Sequence, residues 1–316
     1  MSKAILVTGA TGKQGGAVVD ALLGQKGTEF SILAVTRDVN SASAKRLVSK
    51  SPSIKLVQGN LDDAPGLFKE AQNICGQPIW GVYSVQISIG RRVTMESEVF
   101  QGQELIKQAI YAGVSHFVYS SVERGGDEAS WENPTPIPHF QSKYRIERYL
   151  RDATAPGTPG ERMGWTIVRP VAFMDNLVPG FPTKVFMAAM HNWMGNKPNQ
   201  WIATSDIGIF VAKAFVRPDS WNRRAVGLAG DELTFEELSG AFRKSTGHHV
   251  PEAHWVFGSV LTFMVTELRL MIGWFSSDGY KADIEARCKD HPGLLTMEEW
   301  LRKESLFTLK GTNEGR

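Results

Sequence analysis

Short runs of hydrophobic residues alternate with longer amphipathic stretches through the first half of the chain. The runs are continuous, and the stretches between them place apolar residues at helical spacing. Continuous apolar runs flanked by amphipathic helices are typical of a parallel sheet that is covered on both faces. The pattern therefore predicts an α/β fold, with strands in AILVTG, FSILAVTR, SIKLVQGN, PIWGVYSVQ, SHFVYSSVE and WTIVRPVAF.

The regular alternation ends after Phe173. Beyond it the sequence contains short helical patterns, several tryptophans and the polar segment MGNKPNQ, which predicts a loop. We expect a first domain over residues 1–155, with a strand over 165–171 that returns to its sheet. Residues 172–316 are expected to form a smaller mixed α/β domain that binds substrate or a partner, and the chain is expected to be interwoven between the two.

Composition and charge restrict the function classes. The 316 residues are 42% hydrophobic and 22% charged, as in a globular protein. Because 35 basic residues nearly balance 33 acidic ones and no basic run occurs, we expect no direct binding of nucleic acid. The most apolar later stretch, HWVFGSVLTFMVTELRLMIGWF, is interrupted by Glu267 and Arg269, so no membrane span is expected.

The cysteines and the N-terminal residues bear on the cellular location. Cys75 and Cys288 are far apart and lack CxxC spacing, which is typical of thiols in a reducing compartment. The first residues, MSKAILVTGATG, run directly into a strand, so no targeting sequence is expected. We predict a cytoplasmic protein, with a nuclear location also open, that exists as a monomer or a homodimer.

The first predicted strand leads into GATGKQG, which places Gly9, Gly12 and Gly15 at GxxGxxG spacing before a helix. Glycines in such a turn allow the backbone to approach a pyrophosphate and the helix to pack closely on the strand. The helix N-terminus then faces the negative charge. Glycine-rich turns also serve structure alone, but the strand–turn–helix context favours nucleotide binding.

The residues after the second and third strands predict which nucleotide is bound. A site for NAD usually has an acidic residue after the second strand, whereas this chain has Arg37 followed by Asp38. Arg37 could pair with a 2′-phosphate, which favours NADP(H) over NAD, although a solvated arginine and a role for Asp38 stay open. After the third strand, GNLDD places Asn60, Leu61 and Asp62 where an adenine would lie.

A helix is predicted to begin near Pro138, in PHFQSKYRIERYL, with His139 and Lys143 on one face. The lysine could hold a cofactor, take part in chemistry or lie in solvent.

Several of these segments together resemble the NmrA-like family of atypical short-chain dehydrogenases/reductases. They are VTGATGKQGG, VTRD, GNLDD, HFQSKYRIERYL, WTIVRPVAFMDN and SDIGIFVAKAF. The resemblance implies a doubly wound Rossmann sheet that binds NADP(H) beneath a small C-terminal domain. It also implies further cofactor contacts in the loop, after the fourth strand and after WTIVR: Thr11, Lys13, Gln14, Val85, Gln86, Pro170, Val171, Ala172 and Phe173.

The wider dehydrogenase group uses a serine and a YxxxK pair. The resemblance places Lys143 at the lysine, Ser121 at the serine and His139 at the tyrosine, so these three are the candidate catalytic residues. Lys143 is assigned mainly to cofactor ribose binding, with an electrostatic role on a developing oxyanion also open. His139 could have no role, pack the fold or donate a proton, and the first two readings are favoured.

Other features carry weaker signals. The histidines of HHVPEAH lack the spacing of a zinc site, so no metal is expected. The aromatic residues of the C-terminal half could line a pocket for an apolar ligand or contact a partner, but core packing is favoured. They are Trp193, Trp201, Trp255, Phe257, Phe263, Trp274 and Phe275.

Three functions fit these features. The favoured one is an NADPH-dependent reductase or biosynthetic enzyme that acts on a small ketone, quinone or phenolic substrate, supported by Ser121 and Lys143. The second is a non-catalytic NADPH/NADP⁺ sensor that regulates a transcription factor by protein contact, supported by the replaced tyrosine. The third is a non-redox isomerase or cyclase on the same fold. Fold alone does not choose among them.

Overall fold

The computed structural model of the protein describes residues 2–88, 90 and 93–310. Its strands are β1 (Lys3–Val7), β2 (Phe30–Thr36), β3 (Ile54–Gln58), β4 (Ile79–Ser84), β5 (His116–Ser120), β6 (Gly164–Pro170), β7 (Ala172–Phe173), β8 (Asn199–Ile202), β9 (Arg224–Leu228) and β10 (Asp231–Leu233). All six strands predicted from the hydrophobic runs are therefore present.

The main sheet has seven strands in the order β3-β2-β1-β4-β5-β6-β9. The ladders that join β3, β2, β1, β4, β5 and β6 are parallel. In the register of the central pair, Ile5 lies opposite Ile32. The strand order reverses between β1 and β4, which is the point where doubly wound sheets bind ligands at the carboxyl ends of their strands. The predicted doubly wound α/β fold is confirmed.

Helices lie between these strands and after the last of them. They are α1 (Lys13–Leu23), α2 (Ala42–Val48), α3 (Ala64–Cys75), α4 (Met95–Tyr111), α5 (Pro138–Ala153), α6 (Phe181–Met194), α7 (Thr204–Val216), α8 (Pro218–Trp221), α9 (Phe235–Thr246), α10 (Trp255–Met264), α11 (Thr266–Ser277), α12 (Ile284–Asp290) and α13 (Met297–Lys303). Several, among them α1, α3 and α4, pack on strands of the main sheet. In α4 the buried stripe is Glu98, Gly102, Leu105, Ile106 and Ala109. Helical spacing therefore explains the stripe, and Glu98 is its charged member.

The described chain forms two compact units, each built from three segments. The first unit contains Met1–Val122, His139–Arg169 and Ser205–Val226, and the second contains Glu123–Pro138, Pro170–Thr204 and Gly227–Arg316. Three segments in each unit require the chain to cross between them five times. Residues 205–226, which the sequence suggests for the C-terminal domain, thus lie in the first unit.

The second unit holds a small sheet in the order β10-β8-β7, with β8 antiparallel to β10 and parallel to β7. Asn199 and Gln200, the last residues of MGNKPNQ, begin β8 and are buried. The loop prediction is wrong for these two residues. Their backbone pairs with β10, and the Gln200 side chain makes buried hydrogen bonds with the backbone of Ala282.

The aromatic residues of the C-terminal half divide into two groups. Core packing is confirmed for Trp201, Trp274 and Phe275, which are buried. It is wrong for the others, which are between 43% and 81% exposed: Trp193, Trp255, Phe257 and Phe263. Within the described residues no single helix is long and apolar enough to cross a bilayer, and α10 and α11 pass that test only as a pair bent by 113°.

A buried histidine lies on β5, in the first unit. His116 is 2% exposed, and its Nε2 lies 2.9 Å from Thr166 Oγ1. Because Thr166 Oγ1 donates its own proton to Trp221 O at 2.8 Å, it accepts from His116 Nε2–H. Burial, together with the charge of Lys3, lowers the pKa of His116 from 6.5 to about 4. The folded protein therefore holds this imidazole neutral.

This histidine predicts acid sensitivity. Below pH 6.5 the unfolded chain binds a proton at His116 that the folded chain does not bind until about pH 4. The free energy of unfolding should fall by roughly 3 kcal/mol across that window from this residue, with no contribution above it. Urea titrations at about pH 7 and about pH 4.5 measure the difference, and His116→Gln, which can still donate to Thr166, should flatten it. Identical pH dependence in both proteins would contradict the assignment.

Candidate functional site

The carboxyl ends of β1 to β5 meet at one edge of the main sheet, because these strands are parallel. The strands end at Val7, Thr36, Gln58, Ser84 and Ser120. Most of the site residues predicted from the sequence lie within a few positions of these ends: Gly9, Thr11, Gly12, Lys13, Gln14, Gly15, Arg37, Asn60, Leu61, Asp62, Val85, Gln86 and Ser121. The fold therefore brings them to the same edge of the first unit.

The glycine-rich turn connects β1 to α1. Gly9 has a φ of +60°, and a Cβ there would lie 2.8 Å from Val85 Cγ1. A Cβ on Gly15 would lie 2.2 Å from Gly9 O, so the first turn of α1 packs directly on the backbone of the loop. Gly12 differs, because it is exposed, extended at φ −94°, and its Cβ would come only within 3.2 Å of Gly9 O. Two of the glycines are thus required by packing, while Gly12 leaves the outer surface of the turn open.

Side chains of the turn point in different directions. Thr11 and Lys13 are exposed. Gln14 is not: its Oε1 accepts hydrogen bonds from Ser120 Oγ at 2.7 Å and from Tyr83 Oη at 3.3 Å. Burial raises the pKa of Tyr83 well above its ordinary value, so the phenol stays a donor. The Gln14 side chain therefore connects α1 to β4 and β5. Because its oxygen already accepts two hydrogen bonds, the cofactor contact predicted for Gln14 would come from its backbone.

Arg37 follows β2 and is exposed. Among the residues that the structure describes it makes no hydrogen bond or ion pair. The neighbouring Asp38 is engaged, because its Oδ1 accepts from Asn40 N at 2.8 Å and its carbonyl accepts from Thr36 Oγ1 at 3.1 Å. This geometry favours Arg37 over Asp38 as the group that meets a ligand after β2.

The segment after β3 is a hydrogen-bonded turn. Asn60 Nδ2 donates to Asp62 Oδ2 at 2.7 Å, and Gln101 Nε2 of α4 donates to Asp62 Oδ1 at 2.7 Å. Leu61 lies half-buried between them. The Asp62 carboxylate is thus held by protein donors, so a contact with an adenine would come from the rest of this turn.

The end of β4 contains an unsatisfied acceptor. Thr8 Oγ1 joins β1 to β4 through Val85, accepting from its N–H at 2.8 Å and donating to its carbonyl at 2.9 Å. Gln86 is 5% exposed; its Nε2 donates to Ser84 Oγ at 2.8 Å. Its Oε1 has no hydrogen-bond partner within the described residues. A buried carbonyl oxygen without a donor is costly, so Gln86 suits a site where a ligand supplies one.

Lys143 lies on the buried face of α5, and its side chain is 10% exposed. Its Nζ donates to Glu98 Oε1 of α4 at 3.0 Å. Ser121 is buried directly after β5, and its N–H donates to Val168 O at 2.8 Å. His139, in the first turn of α5, is half-buried with its ring edge-on to Phe140 at 4.8 Å between centroids. The lysine is therefore not a solvated surface residue.

Glu98 is the functional candidate that the sequence reasoning missed. It is 1% exposed and accepts hydrogen bonds from three side chains: Ser88 Oγ at 2.8 Å, Ser142 Oγ at 2.5 Å and Lys143 Nζ at 3.0 Å. A sequence signal existed, since a glutamate on the apolar stripe of a helix requires a partner. The identity of that partner, 45 residues away, could not be read from the spacing.

Four predicted cofactor residues lie in the second unit. Val171 N donates to Leu228 O at 3.2 Å. Ala172 and Phe173 pair with Trp201 and Ile202 in the small sheet. Together with Pro170, these residues begin the second unit's segment after β6.

The histidines of HHVPEAH lie in a segment without helix or strand, between α9 and α10. His249 Nδ1 lies 2.9 Å from Ser239 Oγ, and no group of three or more residues suited to a metal occurs in the described part of the chain.

Comparison with known proteins identifies the family. The model of the NmrA-like family matches residues 1–301. The chain belongs to the NmrA-like family. Among its NmrA-like relatives, an NmrA-like family domain-containing oxidoreductase of Aspergillus hancockii is 29% identical over 301 residues, which cover 88% of this chain and 84% of the relative.

Solved structures share the fold of this NmrA-like chain. NmrA, described as a negative transcriptional regulator and solved in complex with NADP, gives a TM-score of 0.69 at 20% identity, over 96% of this chain and 95% of the other. An NADPH-dependent quinone oxidoreductase of Escherichia coli, solved with NADPH, gives 0.69 at 20% identity, over 94% and 98%. The NmrA-like fold therefore occurs both in a regulator and in an enzyme.

Proposed function

We propose that the protein is an NADPH-dependent reductase that acts on a small ketone, quinone or phenolic substrate, with its cofactor site at the carboxyl ends of β1 to β5. The geometry of the glycine-rich turn between β1 and α1 is the main observation that supports this proposal. Gly9 and Gly15 fold the turn tightly against Val85 and the backbone, and exposed Gly12 keeps its outer surface clear at the N-terminus of α1. That arrangement suits a pyrophosphate.

Other residues at this edge fit the remainder of NADP(H). Arg37 offers a guanidinium to a 2′-phosphate, which it can hold through two parallel hydrogen bonds. The Gln86 Oε1 atom has no donor among the described residues, so it can accept a hydrogen bond from a ribose hydroxyl or an amide of the cofactor. Lys143 Nζ has three N–H donors, of which one binds Glu98. The other two have no acceptor among the described residues and can bind the cofactor. The family relationship and the NADP(H)-bound neighbours support the same cofactor.

The chain's own residues would then stabilise charge on the substrate. NADPH, when bound, supplies the hydride. The Lys143 ammonium and the Ser121 hydroxyl can donate hydrogen bonds to a substrate oxygen that becomes negative, which lowers the energy of the transition state. Both groups are largely withdrawn from water, where such interactions are stronger than at the surface.

A second candidate is a sensor that binds NADPH and NADP⁺ and regulates a transcription factor by contact. His139 stands where the wider dehydrogenase group has its proton-donating tyrosine, and the structural neighbour NmrA is described as a negative transcriptional regulator. The two candidates differ in turnover. NADPH oxidation in the presence of a panel of quinones and aromatic ketones supports the reductase. Absence of turnover across the panel, together with a difference in partner affinity between the NADPH and NADP⁺ forms, supports the sensor.

Cofactor selectivity gives a prediction for Arg37. Arg37→Ala should weaken NADPH binding by about 1.5–3 kcal/mol, the value of a hydrogen bond to a charged group, and leave NADH binding nearly unchanged. Calorimetric titration with both nucleotides measures this. Arg46→Ala, which removes an exposed arginine from α2, is the matched control and should change neither affinity. Equal losses for NADPH and NADH would refute the assignment of Arg37 to the 2′-phosphate.

A further inference from the structure

We propose that Glu98 is a positioning residue for Lys143, so that the lysine meets the cofactor only when Glu98 holds its ammonium. This inference rests on the proposed function, because it assigns Lys143 to NADPH. Its basis is the cluster of Glu98, Ser88, Ser142 and Lys143, which joins α4, α5 and the segment after β4.

The hydrogen bonds of the cluster converge on one carboxylate. Lys143 Nζ and Ser88 Oγ donate to Glu98 Oε1, and Ser142 Oγ donates to Oε2. A carboxylate that is 1% exposed is stable only with such a set of partners, since an unpaired buried charge is strongly destabilising. The two serines fix the carboxylate from two sides, and the carboxylate then fixes Nζ. A flexible four-carbon side chain thereby acquires one defined direction.

A second buried ion pair holds the same helix without touching Lys143. Glu147, one turn further along α5, accepts from Arg169 of β6 through both oxygens, at 3.1 and 2.8 Å, and both side chains are fully buried. This pair attaches α5 to the sheet. The position of the helix is therefore fixed independently of Glu98. Glu98 then determines only where the Lys143 ammonium lies.

Loss of the Glu98–Lys143 pair and loss of the Glu147–Arg169 pair should affect cofactor binding differently. Losing the Glu147–Arg169 pair should reduce stability while leaving the Lys143 ammonium in place. Losing the Glu98 carboxylate should release the ammonium and weaken NADPH binding. The effect of Glu98 must then disappear when Lys143 has already been replaced, because a residue that acts through another has no effect in its absence.

The experiment is a double-mutant cycle on the full chain with NADPH affinity as the readout. Calorimetric titration compares wild type, Glu98→Gln, Lys143→Met and the double variant. Glu98→Gln should weaken NADPH binding roughly 2- to 160-fold in the wild-type background, the range for coupled neighbours, and have no effect beside Lys143→Met. Glu147→Gln is the matched control, with a lowered thermal midpoint and unchanged NADPH affinity below that midpoint. Glu98→Asp, which keeps the charge on a shorter stem, should restore part of the lost affinity.

Ser88→Ala provides a second route if Glu98→Gln does not fold. It removes one donor from Glu98 and leaves the ion pair intact, so it should weaken NADPH binding slightly, and only where Lys143 is present. An equal loss in both lysine backgrounds, for either variant, would overturn the inference while leaving the proposed function intact. Failure of the wild-type protein itself to bind NADPH would overturn the proposed function, and the positioning role with it.

Discussion

Gly12→Val should remove measurable NADPH binding, with affinity reduced at least about 100-fold, and leave the thermal midpoint close to that of wild type. Gly12 is exposed and extended, and a Cβ there would lie 3.2 Å from Gly9 O, so a side chain requires the turn to shift by a few tenths of an ångström, far less than at Gly15. The same side chain would occupy the surface where the pyrophosphate approaches the backbone. Calorimetric titration and thermal unfolding together measure the two effects.

Gly15→Val is the contrasting control three residues further on. A Cβ at Gly15 would lie 2.2 Å from Gly9 O and 2.4 Å from Gly9 C, and a small shift of the backbone cannot relieve an overlap of that size. This variant should lose stability, whereas Gly12→Val should lose only binding. A folded Gly12→Val protein with wild-type NADPH affinity would show that the glycines serve structure alone.

Lys143→Met should lose turnover by about 100- to 1000-fold at saturating NADPH, the usual cost of removing a donor from a developing oxyanion. The loss should exceed what weaker cofactor binding explains, because saturation removes the binding contribution. The variant also leaves Glu98 buried without its cation, which lowers stability, so rates are compared well below the thermal midpoint. Steady-state kinetics with the best substrate of the quinone and ketone panel provides the measurement.

His139→Phe separates the possible roles of the histidine on the same helix. We expect little change in rate, as for a residue that packs beside Phe140. A large loss of rate with a displaced pH profile would instead identify His139 as a proton donor. If Lys143→Met retained full turnover at saturating NADPH, the lysine would have no role in the chemical step.

The hydrophobic pattern predicts the first unit well, because its features are local. Each central strand is a continuous apolar run such as AILV in β1, and the runs end where polar residues and glycines begin. Parallel pairing then places those ends at one edge without further information. The helix that carries Lys143 begins at Pro138, as the sequence suggests, because proline suits the first turn of a helix.

The features that the sequence did not reveal depend on long-range contacts. Glu98 meets Lys143 across 45 positions, and Gln14 meets Ser120 across 106 positions. Helical periodicity shows that Glu98 is buried but carries no information about which cation it meets. The sequence predicts a loop at Asn199 and Gln200 because β8 is defined by the distant strands that pair with it.

The five chain crossings between the units have a consequence for synthesis. The first unit is incomplete until Val226, so its last segment, Ser205–Val226, must leave the ribosome before the unit can close. Until β9 emerges, the outer edge of β6 has no partner and can pair with another nascent chain. The edge of β6 thus stays open while the ribosome translates the residues between Pro170 and Arg224, and this is the interval in which a chaperone would have an unpaired strand to cover.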